Sequence, residues 1–329
     1  MLQHLATSAA LQNAVLLLLP AAIWAALFVS RRYSAREYAG SFLAYAWQFQ
    51  ASLLLNALLV GSGVWSFNSD SHLFFGVPID LVMGQGILLG GVNALLLRRL
   101  GFAVRFAAAV AGLVLIYSHS SMVVGSSFWP GLVALAGLAV APSLKLAEWT
   151  AEDRHVVARS LLQSASWVCL LFWLFPSAVL LNTGDSWQPF LTRAAWAHAL
   201  CLMPLLIPAG LIVSAVRQFA VEGDGTAFPY DPPKRLVTRG IYAYLSNPMQ
   251  VGICLSMAWL GVVTESLLVS TSAGVAVFLF VVFKDICNGS CAIGEQDPNW
   301  AIYQREVPRW IPRTTAWTLP SARAVRSNE

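Results

Sequence analysis

The chain has 329 residues, of which 57% are hydrophobic and 11% are charged, and its formal net charge at pH 7 is +4. Soluble globular domains carry about 25% charged residues, so this composition excludes a soluble domain as well as a disordered chain. It is the composition of a protein that lies in a lipid bilayer.

Eight long apolar stretches follow one another along the chain. In order they cover residues 5–30, 38–69, 73–97, 106–144, 160–184, 194–216, 240–264 and 266–283. Most of them exceed the roughly 20 residues that cross a hydrocarbon core, and 106–144 is long enough for two spans with a turn between them. We therefore predict an all-α protein, a polytopic bundle of about nine transmembrane helices. Asp80 is the one charged residue inside these stretches, and we expect it to bond a neighbouring helix rather than to act in catalysis.

The basic residues are distributed unequally between the two sides of these predicted spans. Nineteen of the 20 Lys and Arg residues fall in loops that follow odd-numbered spans, and only Arg193 falls on the opposite side. Because cytoplasmic loops are enriched in Lys and Arg, we predict an external N-terminus and a cytoplasmic C-terminus, in a bacterial-type inner membrane or its equivalent. The positive net charge thus reports topology, and we expect no nucleic-acid partner.

The five cysteines do not form a pattern typical of disulfides or metal sites. Cys169, Cys201 and Cys254 fall within predicted spans, and Cys287 and Cys291 fall on the cytoplasmic side, where thiols stay reduced. The spacing of the last two places them on one helix face, but no His lies nearby to complete a ligand set. We therefore expect no metal.

The chain changes character near residue 217. Up to there the loops are short, whereas 221–240 is a loop rich in Gly and Pro, which predicts irregular backbone. A polar tail with several Trp and Tyr residues follows Lys284. We assign residues 1–190 to N-terminal transmembrane helices of unassigned role, and residues 191–329 to a second domain with the loop, a helical hairpin and the tail.

The segment IYAYLSNPMQVG, residues 241–252, places a polar elbow at the start of an apolar span. Pro248 disfavours helical backbone at Asn247, so we predict that the span begins at Pro248 with Asn247 as its N-cap. Non-regular backbone at membrane depth needs protein or a water-filled cavity around it. The elbow is therefore either a capped helix start alone or the lining of a cytoplasmic cavity.

Two stretches in residues 217–313 carry a family pattern. The first is GDGTAFPYDPPKRLVTRGIYAYLSNPMQVG, with a G-x-G-T loop, an L-V-x-x-G-x-Y turn and an N-P-x-x-x-G core, and the second is NWAIYQREVPRWIPR, residues 299–313. Together they resemble the integral-membrane methyltransferases of the isoprenylcysteine carboxyl methyltransferase and phospholipid methyltransferase superfamily. The spans before residue 217 show no comparable motif.

This resemblance implies that S-adenosylmethionine binds at the cytoplasmic face, between the elbow, the hairpin and the tail. The cofactor-binding residues that match the family motifs are Gly223, Gly225, Thr226, Tyr242, Asn247, Pro248, Gly252, Tyr303 and Arg309, and Glu295 is added as the nearest acidic candidate. The chain departs from the family at three features. Ser246 replaces an Arg, Gln250 replaces a Tyr, and Asn288 and Gly289 stand where a pair of Glu is usual, so Glu295 is the acidic residue that remains nearby. The catalytic residues stay unassigned.

We therefore expect an enzyme that transfers a methyl group from S-adenosylmethionine to a lipophilic or membrane-delivered small acceptor with a carboxylate, amine or thiol. Methyl transfer from a sulfonium needs alignment and the exclusion of water rather than a metal. Membrane lipid is the expected partner, and the oligomeric state is left open. Two alternatives stay open as well. One is an NADPH-dependent reductase of the sterol or steroid type, which has a similar elbow, and the other is a non-catalytic relative of the fold.

Overall fold

The computed structural model is helical, as the sequence predicts. It describes residues 2–67, 72–119, 123–124, 128–228, 231–272, 274–275, 297 and 299–318. The helices within these residues are α1 (Leu2–Val29), α2 (Ala35–Gly61), α3 (Ile79–Leu96), α4 (Phe102–His119), α5 (Phe128–Ala151), α6 (Val156–Thr183), α7 (Gln188–Leu191), α8 (Ala195–Val221), α9 (Pro248–Val263) and α10 (Asn299–Glu306).

Irregular turns and short strands complete the architecture. A π-helical stretch lies inside each of α3, α5 and α6, at Gly86–Val92, Ala136–Val140 and Leu170–Leu174, and a 3-10 turn, Gly240–Ala243, precedes α9. Within the described residues the strands are two residues long and form two antiparallel pairs. They are β1 (Ser66–Phe67) with β4 (Val123–Val124), and β2 (Leu73–Phe74) with β3 (Val77–Pro78).

Five of the described helices are long and apolar enough to cross a membrane, namely α2, α3, α5, α6 and α8. Shorter apolar helical segments lie in α1, α4 and α9. Residues 106–144 fall in two separate helices, α4 and α5, on either side of β4, and the prediction that both cross the membrane is not tested by this. Part of the last predicted span, 266–283, lies outside the described residues. The total of about nine spans and their orientation therefore stay predictions.

The chain divides into two compact units, Met1–Ser166 and Trp167–Glu329, here called the N-terminal and the C-terminal unit. The boundary between them falls within α6. The division of function at residue 190 stays a prediction.

Small residues bring the helices of the N-terminal unit into close contact. A Cβ at Gly40 of α2 would lie 2.8 Å from the carbonyl oxygen of Ala147 in α5, and a Cβ at Gly90 of α3 would lie 2.7 Å from that of Ala44 in α2. Such close approach is what holds membrane helices together, because lipid is as apolar as the side chains and van der Waals packing has to supply the attraction.

Buried polar side chains form a continuous network through the N-terminal unit and connect α2, α3, α4 and α5. Consecutive members are joined by hydrogen bonds of 2.8–3.2 Å, and each is at most 1% exposed. In order of contact they are Ser143, Gln48, Ser52, Gln85, Tyr117 and Asn56. The sequence analysis did not identify this network. The available signal was the i, i+4, i+8 spacing of Gln48, Ser52 and Asn56, which places them on one face of α2.

Three of the loops predicted to share one side of the membrane meet at one end of the N-terminal unit. Asp153 forms an ion pair with Arg36 (2.7 Å) and accepts a hydrogen bond from Arg159 (2.9 Å), and Arg98 pairs with Glu37. The contacts join the loops after α1, α3 and α5, and they agree with the predicted alternation of the spans. The side of the membrane that this end faces stays a prediction.

Asp80 does not bond a neighbouring helix among the described residues. It lies in the first turn of α3, and its Oδ1 accepts a hydrogen bond from the amide of Leu81 (2.9 Å). A carboxylate is favourable at this position because the helix dipole presents partial positive charge at the N-terminus. Asp80 is thus a local helix-start residue in this structure, and our expectation of a bond between helices was wrong.

Ser52 is the residue of the polar network whose small side chain accepts two hydrogen bonds, so its replacement should lower the stability of the N-terminal unit. Its hydroxyl accepts hydrogen bonds from the amides of Gln48 and Gln85, so Ser52→Ala leaves two buried donors without their acceptor. We expect the free energy of unfolding in detergent to fall by about 1–2 kcal/mol. Ser118→Ala removes an exposed hydroxyl from α4 and serves as the control. Equal unfolding free energies for the two variants would contradict a structural role for the network.

Candidate functional site

The candidate site is built on α8 and α9 of the C-terminal unit. A Cβ at Gly252 of α9 would lie 2.7 Å from both the carbonyl oxygen of Pro208 and Cγ1 of Ile212 in α8, so a larger residue would push the helices apart. The indole of Trp259 donates a hydrogen bond to the carbonyl oxygen of Cys201 (2.6 Å) further along the same pair. Gly252 therefore packs helices in this structure, and its predicted contact with a cofactor stays a prediction.

The glycines of the loop after α8 make room for the two prolines that follow. A Cβ at Gly223 would lie 2.6 Å from Cβ of Pro233, and one at Gly225 would overlap the backbone of Pro232 and Pro233. The carbonyl oxygen of Gly223 accepts a hydrogen bond from the amide of Lys234 (2.7 Å). The loop thus folds back on itself, and both glycines are required for this close backbone approach.

Thr226 closes the same loop. Its hydroxyl donates to the carbonyl oxygen of Asp231 (2.9 Å) and accepts from the amide of Phe228 (3.2 Å), while its own amide donates to Asp231 O (3.0 Å). The residue is 1% exposed. The hydroxyl is therefore engaged in the turn, as is typical of Thr and Ser in such loops.

The chain then enters the elbow through a glycine with left-handed backbone, Gly240, and a buried tyrosine, Tyr242. Gly240 has a φ of +58°, and a Cβ there would overlap the side chain of Gln218, so glycine is required twice over. Tyr242 stacks on Phe219 of α8 with ring centroids 4.9 Å apart. Burial raises the pKa of the Tyr242 hydroxyl well above its usual value, and Tyr303 nearby adds to the shift. The hydroxyl stays protonated at any physiological pH.

Helix α9 begins at Pro248, as predicted. Asn247 occupies the N-cap position with a φ of −125°, and it is 5% exposed, but its side chain forms no capping hydrogen bond. Asn247 is therefore the N-cap residue by its position, but its side chain does not cap the helix. The amides of Met249 and Gln250 have no acceptor among the described residues. They are the donors that a helix start leaves for another partner.

The C-terminal tail is hydrogen-bonded to the elbow. Its helix α10 is started by Asp297, whose Oδ1 accepts from the amide of Asn299 (2.9 Å). Four bonds then connect the tail to four residues of the elbow between Tyr242 and Ser246. They run from Tyr303 Oη to Tyr242 O (2.8 Å), from Ser246 N to Pro308 O (3.0 Å), from Arg313 N to Tyr244 O (2.9 Å) and from Trp317 N to Ala243 O (2.8 Å). The tail thus supplies the hydrogen-bond partners of the elbow's backbone.

An aromatic cluster seals this contact from water. Tyr303, Val307 and Trp317 are each at most 3% exposed, and burial raises the pKa of the Tyr303 hydroxyl. Glu306 holds the end of the tail, because its carboxylate accepts from the indole of Trp317 (2.8 Å) and its carbonyl oxygen accepts from Nη1 of Arg313 (3.0 Å). The sequence analysis missed Glu306 and Arg313. No local pattern marks them, since their partners lie several residues away in an irregular segment.

The two arginines among the candidate residues lie at the protein surface, unlike the buried Tyr242 and Tyr303. Arg239 and Arg309 are exposed, and Arg309 directly follows Pro308, whose carbonyl oxygen accepts from Ser246. Its guanidinium is therefore carried on the tail beside the elbow. Glu295 lies outside the described residues, so its predicted contact stays a prediction.

The predicted residues thus fall into two groups. Tyr242, Asn247, Pro248, Tyr303 and Arg309 come together where the tail meets the elbow. The others, Gly223, Gly225, Thr226 and Gly252, shape the loop and the helix pair that support this junction. Val237 connects the two groups, because it packs with Tyr242 in one buried cluster and lies against Gly223.

Comparison with known families matches one part of the chain. Residues 196–287 match the family described as phospholipid methyltransferase. No curated protein and no solved structure matches the chain. The matched stretch contains α8, the glycine loop, the elbow and α9, and it ends before the tail. Over residues 196–287 this chain is therefore similar to the phospholipid methyltransferases.

Proposed function

We propose that the C-terminal part transfers a methyl group from S-adenosylmethionine to a lipophilic or membrane-delivered small acceptor at the cytoplasmic face of a multi-pass membrane protein. The observation that carries this proposal is the closure of the tail over the elbow at the start of α9. The family match supports the reaction class. The cofactor, the acceptor and the side of the membrane are parts of the proposal that go beyond this match.

The chemistry requires alignment and a dry site. When bound, S-adenosylmethionine would supply a methyl group activated by a sulfonium. A carboxylate, amine or thiolate of the acceptor would form the new bond to the methyl carbon, and the electron pair of the broken carbon–sulfur bond would stay on sulfur, so that a neutral thioether leaves. The protein's part is to hold the two reactants in line and keep water out. The cluster of Tyr303, Val307 and Trp317 supports water exclusion, because it buries the junction between the tail and the elbow.

The residues at the start of α9 fit the polar end of this cofactor. The unpaired amides of Met249 and Gln250 and the positive end of the helix dipole favour a carboxylate. Asn247 adds an amide side chain with both a donor and an acceptor, and Arg309 adds a positive charge carried on the tail. The closed glycine loop and Gly252 are used within the protein itself, so we place the cofactor at the helix start rather than in that loop.

Binding and transfer assays with the purified full-length protein test the proposed function. We expect saturable binding of S-adenosylmethionine, no binding of NADPH, and incorporation of labelled methyl groups into extracted membrane lipid or a supplied lipophilic carboxylate, amine or thiol. Binding of NADPH alone would favour the reductase alternative. Binding of neither molecule would leave a non-catalytic relative of the fold.

Asn247→Ser tests the amide at the helix start. Serine is a good N-cap residue, and the asparagine side chain forms no capping bond here, so we expect little change in melting temperature. The shorter hydroxyl cannot reproduce the paired donor and acceptor of the amide. We expect the affinity for S-adenosylmethionine to fall about tenfold, or roughly 1.4 kcal/mol, as measured by calorimetry.

The matched control for this variant is Asn182→Ser. Asn182 is an exposed residue of α6 in the same unit, and its side chain bonds the carbonyl oxygen of Ala178 in its own helix. Its replacement should leave the affinity unchanged. An Asn247→Ser protein that binds the cofactor as tightly as the wild type would remove this side chain from the site.

Tyr303→Phe tests the closure by the tail. The change removes the hydrogen bond to the carbonyl oxygen of Tyr242 but keeps the ring in its cluster, and a buried hydrogen bond contributes about 0.5–1.5 kcal/mol. We expect faster hydrogen exchange at the amides of Arg313 and Trp317, together with about a threefold to tenfold loss of cofactor affinity.

Tyr244→Phe is the control for this variant, since the Tyr244 side chain is 37% exposed and has no hydrogen bond from its hydroxyl among the described residues. Unchanged exchange rates in Tyr303→Phe would show that the tail does not depend on this bond. Faster exchange with unchanged cofactor affinity would mean that tail closure is not needed for binding.

A further inference from the structure

A cavity of about 400 Å³ lies in the N-terminal unit, at the end where α2 begins and where α3 and α5 end. Small-molecule sites in proteins typically measure about 300–1,000 Å³, so the cavity has room for a ligand headgroup. Its charged lining residues are Glu37, Arg98, Arg99, Arg105, Glu148 and Glu152. The family match at residues 196–287 does not extend to this part of the chain.

The carboxylates of the cavity already have basic partners. These pairs are Glu37 with Arg98, Glu148 with Lys145 (3.0 Å) and Glu152 with Arg154 (3.5 Å). Two guanidinium groups of the lining are less well matched. Nη1 of Arg105 lies 3.9 Å from the nearer oxygen of Glu148, beyond hydrogen-bond distance, and Arg99 has no ion pair in the part of the chain that the structure describes. The cavity therefore presents unused positive charge.

Arg105 is the more informative of these two residues. It is 4% exposed, and its Nε and Nη2 find no hydrogen-bond acceptor among the described residues. Its backbone is fixed in α4, where its carbonyl oxygen accepts from the side chain of Asn93 (3.1 Å). A guanidinium cannot give up its proton at physiological pH, and a buried charge with idle donors is unfavourable. An anion with several oxygens would satisfy these donors.

We propose that this cavity binds a phosphate group, with Arg105 and Arg99 as its ligands. The planar fork of a guanidinium matches two oxygens of a phosphate, and two such groups on one cavity suit a tetrahedral oxyanion with oxygens on several sides. The proposal does not depend on methyl transfer in the C-terminal unit.

The surroundings of the two arginines favour a phospholipid as the source of the phosphate. Leu96, Leu100 and Val104 are 52%, 45% and 54% exposed, and in the sequence they lie close to Arg99 and just before Arg105. Acyl chains would cover these apolar side chains while the headgroup entered the cavity. Basic clusters beside membrane spans attract phospholipid headgroups for the same electrostatic reason. A free phosphate compound shares the headgroup chemistry but leaves the apolar side chains uncovered.

The test is a binding titration of the purified, delipidated full-length protein in neutral detergent. The probes are a short-chain phosphatidylglycerol, inorganic phosphate and a short-chain diacylglycerol without phosphate. We expect saturable binding of the phospholipid and about a tenfold loss of affinity in Arg99→Gln and in Arg105→Gln, because each loses charge-assisted hydrogen bonds. Arg32→Gln removes the same charge from an exposed residue of the preceding loop that does not line the cavity, and it should bind like the wild type.

Each outcome bears on the proposal. Arg99 is exposed, so Arg99→Gln carries the test even if Arg105→Gln fails to fold. Binding of inorganic phosphate as tight as that of the phospholipid would support the site with a soluble phosphate as its source. The proposal would be overturned if neither phosphate probe bound, if the diacylglycerol bound as well as the phospholipid, or if Arg32→Gln lost as much affinity as Arg99→Gln.

Discussion

The need to satisfy polar backbone next to a membrane helix is the constraint on which the candidate site depends. The chain leads from a 3-10 turn directly into α9, and the carbonyl groups of Tyr242, Ala243 and Tyr244 and the amide of Ser246 find no partner within either helix. The C-terminal tail supplies their partners through the hydroxyl of Tyr303 and through its own backbone. Removal of the tail would leave these groups unpaired, which makes the tail a structural part of the junction that we propose as the active site.

This constraint also accounts for one departure from the family pattern. Ser246 stands where related methyltransferases have an Arg, and in this chain its amide and its hydroxyl both donate to the carbonyl oxygen of Pro308. The position is thus used for docking the tail.

In the N-terminal unit, buried polar side chains also need hydrogen-bond partners, and they find them in one another. Its buried amides and hydroxyls bond to one another from Ser143 to Asn56 and connect four helices. A network of this kind favours one helix arrangement over others, because other arrangements would leave buried donors and acceptors without partners. Arg105 is not part of this network, and two of its donors have no acceptor among the described residues, which is the observation behind the proposed phosphate site.

The sequence by itself determined the helical class, the membrane character, the start of α9 at Pro248 and the family resemblance of residues 217–313, because composition, proline geometry and local motifs are properties of neighbouring residues. Only the tertiary structure decided what the motif residues do. Gly223 and Gly252 are small because Pro233 and α8 lie against them, and Tyr303 matters because it reaches Tyr242. These pairs are far apart in the chain or depend on loop conformation, so only the folded chain brings the partner into hydrogen-bond or van der Waals range.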